Sequence, residues 1–432
     1  MDFDLALLNG KVFAGGKLSE ANIFVKGPRI AKITRSSGFS AGREIDCAGL
    51  LILPGIIDSH VHFREPGYTH KEDWATGSRS AAAGGVCTVI EMPNTSPPTT
   101  TVKLLEEKRK IAKKKSIVGF RLHFGATADN AKEFLKAKDV ASLKIYMGSS
   151  TGSLLVDKDE GILRAFKAAA KMKLPAMVHA EDEELVRSCT AKASASGRND
   201  AAAHLDARPV ASAVRAVERA ITLAATARNR LHIAHVSSEA ELAVISEAKE
   251  DGLKVTCEAT PHHLFLSTRD VARLGNFSKI NPPLRSERDR LALLRALEWG
   301  LVDTVGSDHA PHTKEEKHES VWKAPSGVPG VQTLLPLLLN EHSKGNLSLP
   351  RIVEAASLKP ARLFGLSSKG EIALGYDADF SIVDLRKEWV INDDFILSKC
   401  GWTPFHGMRV KGSVEKTVVG GRVVFEDGEI VA

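Results

Sequence analysis

Two histidines separated by one residue, His60 and His62, follow an apolar run in the segment GIIDSHVHF. Side chains alternate along an extended strand, so both imidazoles point to the same face. Two imidazoles on one face can chelate one metal ion. An HxH pair alone is a weak signal, because half-buried, hydrogen-bonded histidines give the same spacing. The pair therefore predicts a metal site only if further ligands converge on it.

Three further candidate ligands stand at the ends of later apolar runs. His179 ends the run in AMVHAE, His235 follows the run in LHIAHVSS, and Asp308 follows the run in DTVGSDHA. Imidazole and carboxylate are both common ligands of divalent metals. The repeated placement of such residues directly after β-like runs favours a metal site over a set of unrelated structural residues.

A lysine, Lys144, interrupts the apolar run SLKIYM between Leu143 and Ile145. An ammonium group in a buried strand is costly. Burial lowers the pKa of a lysine and so favours a neutral, nucleophilic amine. Reaction of that amine with carbon dioxide gives a carbamate, an anion whose two oxygens can bridge two metal ions. The run therefore predicts a buried lysine that could be carboxylated.

Eight apolar β-like runs alternate with longer helical patterns in the middle of the chain, which is typical of βα units. The runs lie near Ile57, Val89, Leu122, Lys144, Val178, Ile233, Val255 and Val305. They predict an α/β fold, a (β/α)₈ TIM barrel whose active site lies at the C-terminal ends of the strands. A doubly wound open sheet is the alternative. It is weakened because neither GxGxxG nor GxxxxGK[ST] stands at a first strand-to-helix turn.

Both ends of the chain have a different texture, with short apolar runs broken by turns. LALLNG and KVFAGG near the start resemble KTVVGGRVVFEDGEIV near the end, and both read as β-hairpins. We therefore expect one small composite β-sandwich domain made of residues 1–53 and 370–432. Residues 54–369 would form the barrel.

The composition excludes several function classes. The net charge of +6 is spread along the chain, so no nucleic-acid partner is expected. The basic run KRKIAKKK reads as the solvated face of a helix. The five cysteines show no CxxC spacing, and we expect them to be reduced. No signal peptide and no window near about 20 apolar residues is found, so we expect a cytoplasmic protein without membrane contact.

In its ordered motifs, the chain resembles the amidohydrolase superfamily and, within it, the dihydroorotase family. The resemblance covers nearly the whole chain and rests on PGIIDSHVHFREPG, EMPNTSPPT, LKIYMGSS, VHAED, IAHVSS, INPPLR, GSDHAPHT, PSGVPGVQTLLPLLL and GYDADFSIVD. It implies two zinc ions bridged by carboxylated Lys144 and a hydroxide. His60 and His62 would hold the more buried ion, and His179 and His235 the more exposed one. Asp308 would ligate the buried ion and transfer the proton as the catalytic acid and base.

Substrate choice would rest on residues that recognise an anionic ring. Arg64 lies two residues beyond His62 and can form a bidentate pair with a carboxylate, although it could instead pair with a surface acid. Asn94 in MPNT could add a donor, or could only form a turn. The resemblance implies that His312 also meets the carboxylate. It also implies that Asn281 and the backbone near Ser326 and Gly327 read the ring amide.

The activity implied by the resemblance is reversible cyclisation of N-carbamoyl-L-aspartate to (S)-dihydroorotate in pyrimidine synthesis. Hydantoinases and dihydropyrimidinases of the superfamily typically lack an arginine after HxH, and allantoinases have an asparagine there, so HFREPG favours the first activity. LKIYMGSSTG is closer to members with a carboxylated lysine than to those with a bridging aspartate, whereas Gln332 stands where many members have Glu.

Two questions about partners stay open at this point. An inactive scaffold protein is a further alternative, which the complete ligand set disfavours. The resemblance also leaves open a homo-oligomer and an association with aspartate transcarbamoylase.

Overall fold

The computed structural model describes residues 2–150 and 154–431. Thr151 and Gly152 of the motif LKIYMGSSTG lie outside the described residues. In chain order the strands are β1 (Phe3–Ala14), β2 (Lys17–Lys26), β3 (Arg29–Thr34), β4 (Ala41–Asp46), β5 (Leu51–Pro54), β6 (Ile56–Val61), β7 (Val86–Glu91), β8 (Gly119–Leu122), β9 (Phe124–Gly125), β10 (Leu143–Tyr146), β11 (Ala176–His179), β12 (Leu231–Ile233), β13 (Val255–Ala259), β14 (Thr304–Val305), β15 (Phe380–Val390), β16 (Arg409–Val419), β17 (Arg422–Glu426) and β18 (Glu429–Ile430).

Helices fill the connections between most of these strands. They are α1 (Trp74–Ala83), α2 (Val102–Lys115), α3 (Ala131–Phe134), α4 (Asp159–Lys171), α5 (Glu183–Ala195), α6 (Ala201–Ala207), α7 (Val210–Ala227), α8 (Glu239–Glu250), α9 (Pro261–Phe265), α10 (Val271–Leu274), α11 (Glu287–Glu298), α12 (Lys314–His318), α13 (Leu334–Ser343), α14 (Leu349–Val353) and α15 (Lys359–Leu363). Short 3₁₀ turns span Thr268–Asp270, Gly275–Ser278 and Asp393–Phe395, and a π-helical turn, Glu354–Leu358, joins α14 to α15.

Strands β6 to β14 form the closed parallel barrel that the sequence predicts. One sheet has the order β6-β7-β8 and a second has the order β14-β13-β12-β11-β10-β9. β8 and β9 are two parts of the third barrel strand, interrupted only at His123. A parallel bridge between Val61 and His309 closes the eighth strand onto the first. All eight predicted runs therefore form barrel strands, and the (β/α)₈ prediction is confirmed.

The barrel strands are fixed by burial on both faces. β6, β7, β10 and β11 are buried at every position, as expected for parallel strands that are covered by helices outside and packed by side chains inside. Local capping starts several of the covering helices. Asp73 forms a capping box with Thr76 at α1, and Ser286 forms one with Asp289 at α11.

The two ends of the chain meet in one nine-stranded sheet, as predicted. Its order is β18-β17-β16-β15-β5-β1-β2-β3, with β4 added beside β1. The sheet encloses its own apolar core, which includes Leu7, Ile23, Phe380 and Val418, so the terminal unit is a β-sandwich. Cys87 on β7 packs against the carbonyl of Val418, which places the sandwich directly beside the barrel.

Three further expectations can be compared with the structure. Among the described residues, no helix combines the length and the apolar character that a membrane crossing would need. All five cysteines are free, as expected. The basic run is only partly a solvated face, because Lys108 is fully buried and pairs with Glu91 at 3.1 Å. Its Nζ also donates to the carbonyl of Met92 at 2.6 Å, so this lysine stabilises the end of β7.

Candidate metal centre and active site

The first barrel strand carries His60 at its end and His62 just beyond it. Their Nε2 atoms lie 3.1 Å and 3.0 Å from Oδ1 of Asp308, which follows the eighth strand. The three ligand atoms all lie within 4.8 Å of one another. Asp308 has φ of 45°, a backbone conformation that turns its carboxylate away from the path of the strand. The structure therefore brings these three predicted ligands together.

The other nitrogens of the two rings set their tautomers. His60 Nδ1 donates to Glu258 Oε1 at 2.7 Å, and His62 Nδ1 donates to Asn94 Oδ1 at 2.7 Å. Burial holds the pKa of both histidines well below its ordinary value, so both rings are neutral. Each Nε2 then presents a lone pair toward Asp308. Two lone pairs and a carboxylate that converge on one point repel one another. A cation at that point would be attracted to all three.

The second pair of predicted ligands lies next to the first. His179, the last residue of β11, has Nδ1 at 3.0 Å from His235 Nε2. The ring centroids of His60 and His235 are 5.5 Å apart. His235 lies past the end of β12 and has φ of 40°. Four histidines from three strand ends thus form one buried cluster, and burial lowers the pKa of His179 and His235 as well.

Lys144 lies on β10 and is fully buried, as the sequence predicts. Its Nζ has no hydrogen-bond partner among the described residues. Burial lowers the pKa of Lys144 to about 8, although Glu258 and Asp308 oppose the shift. Its charge also lowers the pKa of all four clustered histidines, which places the amine within electrostatic reach of both pairs. A buried amine without a hydrogen-bond partner among the described residues, within electrostatic reach of both histidine pairs, fits the predicted carboxylation.

Two of the predicted carboxylate-binding residues, Arg64 and His312, contact each other. Arg64 is buried, has φ of 63°, and donates from Nε to the carbonyl of Pro311 at 3.3 Å. Its Nη2 lies 3.0 Å from His312 Nε2, and the same Nε2 lies 3.1 Å from the carbonyl of Ser326. Burial lowers the pKa of Arg64, although the carboxylates of Glu91 and Asp308 oppose the shift.

The remaining predicted residues lie on two neighbouring loops. Gly327 has φ of 144°, and a Cβ at this position would lie 2.4 Å from the carbonyl of Ala310, so only glycine fits. The Gly327 N–H donates to the carbonyl of Lys279 at 2.9 Å and joins its loop to the segment that leads to Asn281. Asn281 Oδ1 is buried and has no hydrogen-bond partner among the described residues. An unsatisfied amide of this kind is suited to a ligand.

Several residues around the site were not singled out from the sequence. Glu258, at 0% exposure, accepts hydrogen bonds from His60 Nδ1 and from Ser59 Oγ at 3.0 Å. The buried Tyr146 hydroxyl has no partner among the described residues and lies within electrostatic reach of Arg64 and Asp308. Both lie at the ends of predicted strands, in KVTCEAT and LKIYM, and this position was the available signal.

Of the neighbouring histidines His262 and His263, the second has a structural role, whereas the buried Nε2 of His262 has no hydrogen-bond partner among the described residues. His263 Nδ1 contacts Thr260 Oγ1 at 2.8 Å, and its Nε2 contacts the carbonyl of Pro282 at 3.1 Å. His263 thereby fixes the loop that carries Asn281. Gln332 also has a structural role, because its Oε1 accepts from Ser80 Oγ at 3.0 Å.

Comparison with known proteins agrees with this geometry. The model of the amidohydrolase family matches residues 51–424. A dihydroorotase of Methanosarcina mazei is 41% identical, with 94% of this chain and 91% of the relative covered. A dihydroorotase of Halobacterium salinarum is 44% identical, with 88% of this chain and 87% of the relative covered. The solved L-hydantoinase of Arthrobacter aurescens superposes with a TM-score of 0.96 at 36% identity. The superposition covers 100% of this chain and 98% of the hydantoinase chain. The chain belongs to the amidohydrolase family.

Proposed function

We propose that this protein is a dihydroorotase, which interconverts N-carbamoyl-L-aspartate and (S)-dihydroorotate. The observation that carries the proposal is a buried guanidinium, Arg64, paired with His312 beside a cluster of metal-ligand side chains. An arginine in this position suits a ring that bears a carboxylate. Relatives at 38% to 44% identity that are named dihydroorotase support the choice.

The residues present fit two zinc ions. His60, His62 and Asp308 would hold one ion, His179 and His235 the other, and carboxylated Lys144 would bridge them. The chemistry that such ions supply when bound is polarisation of the amide carbonyl and activation of water near neutral pH.

Asp308 would move the proton of the reaction. In ring opening, a water oxygen bonds to the ring carbonyl carbon while Asp308 takes one proton from that water. The bond from the carbon to the ring nitrogen then breaks, Asp308 gives the proton to the nitrogen, and the second water proton is released as the new carboxyl group ionises. In ring closure, the ureido nitrogen attacks the side-chain carboxyl carbon and loses its proton to Asp308, which passes it to the departing oxygen. With a second proton from solvent, that oxygen leaves as water. One carboxylate serves both directions because it takes up one proton and gives it away again in each.

The other site residues would bind and orient the ring. Arg64 and His312 would hold the carboxylate, with Asn94 as a further donor. Asn281 and the backbone at Ser326 and Gly327 would read the ring amide. Such positioning is a large part of catalysis because it places the reacting atoms within contact distance.

An assay of purified, zinc-loaded protein in both directions tests the proposal, with dihydroorotate followed by its ultraviolet absorbance. Arg64→Met should lower kcat/KM for dihydroorotate roughly hundredfold or more, because a buried partner of a carboxylate is removed. Arg288→Met is the matched control, because that side chain is 81% exposed. Turnover of neutral hydantoin or dihydrouracil by a protein that leaves dihydroorotate unchanged would instead assign a hydantoinase or dihydropyrimidinase, and turnover of allantoin an allantoinase.

We further propose the domain division of the sequence analysis, with residues 1–53 and 370–432 as the sandwich and 54–369 as the barrel. A cytoplasmic location is proposed because the five cysteines are free. We also propose that the protein forms a homo-oligomer and associates with aspartate transcarbamoylase. Sedimentation of the protein alone tests the first proposal, and sedimentation of its mixture with that enzyme tests the second.

A further inference from the structure

Lys71 and Arg64 contact the two nitrogens of the same imidazole. Lys71 Nζ lies 3.0 Å from His312 Nδ1 and 2.8 Å from Glu316 Oε1. Arg64 Nη2 lies 3.0 Å from the other ring nitrogen, Nε2, and the carbonyl of Ser326 lies 3.1 Å from it. The Lys71 side chain is only 12% exposed, so this contact is not a chance encounter at the surface. One buried histidine is therefore flanked by two cationic donors.

The tautomer of His312 follows from the number of contacts each form can satisfy. Burial and Arg64 hold the pKa of His312 well below its ordinary value, so the ring is neutral, with one N–H donor and one acceptor nitrogen. With the proton on Nε2, the ring donates to the Ser326 carbonyl and accepts from Lys71 at Nδ1. With the proton on Nδ1, the ring accepts from Arg64 alone, and its N–H faces the Lys71 ammonium.

Among the described residues, no carboxylate lies within hydrogen-bond distance of Nδ1 to accept from it in the second form. The carboxylate nearest to Nδ1 is that of Glu316, and its Oε2 is 3.6 Å away, too far for a hydrogen bond. The Nε2–H form therefore satisfies two contacts and the Nδ1–H form one. Lys71 provides one of the two contacts, and Glu316 anchors Lys71 in place.

The Nε2–H form makes His312 and Arg64 neighbouring donors. Arg64 Nη2 and His312 Nε2 are 3.0 Å apart, and both then carry hydrogen. Two donors this close favour a shared acceptor with more than one lone pair. A carboxylate accepts two parallel hydrogen bonds and also neutralises the cation.

We propose that Lys71 is a positioning residue that fixes the Nε2–H tautomer of His312 and so makes His312 and Arg64 a paired donor site for a substrate carboxylate. The inference rests on the proposed function and assigns to Lys71 a role in holding the carboxylate that dihydroorotate and N-carbamoyl-L-aspartate both carry. Lys71 itself does not contact the reacting atoms.

The first test separates substrate binding from turnover. Lys71→Met should raise KM for dihydroorotate roughly tenfold, the scale of one hydrogen bond to a charged group, and should change kcat less than about threefold. Lys71→Arg keeps a cationic donor and should keep KM near that of the unchanged protein. Lys314→Met is the matched control, since this lysine is 46% exposed and pairs with Asp393 at 3.4 Å. It should change neither constant.

The second test reads the tautomer directly and needs no substrate. In protein labelled with [¹⁵N]histidine, the ring-nitrogen shifts of His312, assigned by their loss in His312→Gln, should report hydrogen on Nε2. Lys71→Met should move the population toward Nδ1–H. If Lys71→Met fails to fold, Lys71→Gln replaces it, because glutamine is polar but too short to reach Nδ1.

The outcomes distinguish this inference from the proposed function. Absence of dihydroorotate turnover by the unchanged protein would reject the proposed function and leave the tautomer measurement valid. An Nδ1–H tautomer in the unchanged protein would overturn the inference, and so would an unaltered KM in folded Lys71→Met or Lys71→Gln. A fall in kcat with unchanged KM would also overturn it, because that pattern indicates a role in the chemical step.

Discussion

The carboxylate of Glu258 gives the sharpest prediction about the metal centre. It is fully buried, and it accepts from His60 Nδ1 at 2.7 Å and from Ser59 Oγ at 3.0 Å. The bond to His60 fixes the ring so that Nε2 presents its lone pair to the metal site. Glu258→Gln keeps the shape of the side chain but replaces the charged acceptor by a neutral amide oxygen.

The expected loss follows from that single contact. A hydrogen bond to a charged acceptor is about twice as strong as a neutral one, and partners of metal-bound histidines typically contribute about 10- to 100-fold to metal affinity. The substitution should therefore weaken zinc binding by about 1.4 to 2.7 kcal/mol, since a tenfold change corresponds to about 1.36 kcal/mol. The hydrogen bond from Ser59 should weaken less, because a hydroxyl can also donate to an amide oxygen.

The measurement is competition for zinc against a fluorescent chelator of known affinity. Glu341→Gln is the control, because Glu341 is also buried but accepts from Lys344 and Asn346 at the end of α13, away from the ligands. Zinc affinity within about twofold of the unchanged protein in a folded Glu258→Gln variant would refute the reasoning. An equal loss in Glu341→Gln would show a general effect of removing a buried carboxylate.

Two further predictions concern Lys144 and the response to acid. Lys144→Ala should lose dihydroorotase activity. Short carboxylic acids such as acetate should restore part of it, because they can supply the missing carboxylate. Normal activity without added acid would remove the carbamate from the mechanism. His204 is buried against the carbonyl of Ile280 at 2.9 Å, and burial lowers its pKa to about 3. Because the unfolded chain has a histidine pKa of about 6.5, the unfolded state binds the extra proton first, and stability should be complete above that pH and decline toward pH 3. Between pH 7 and pH 5 this one residue should lower the free energy of unfolding, measured with urea, by about 2 kcal/mol. His204→Asn should remove that part of the pH dependence, and an unchanged pH dependence in the variant would contradict the assignment.

Local sequence was sufficient to predict the barrel and to single out polar residues that the fold brings together at its rim. The β-like runs are short, apolar and separated by helical patterns, so each strand could be recognised without its neighbours. The HxH spacing of His60 and His62 places both rings on one face, because strand geometry has a period of two. Lys144 stood out because a lysine between apolar residues conflicts with the cost of burying charge.

What the sequence alone determined, then, is which residues stand at strand ends and what chemistry their types allow. Only the tertiary structure decided which atoms meet, because the contacts join residues far apart in the chain. Glu258 lies 198 positions from His60, and Lys71 lies 241 positions from His312. Lys108 shows the same limit, since its local pattern suggested a solvated face, but the fold buries it against Glu91. Closure of the barrel creates these pairs, and no local pattern contains that information.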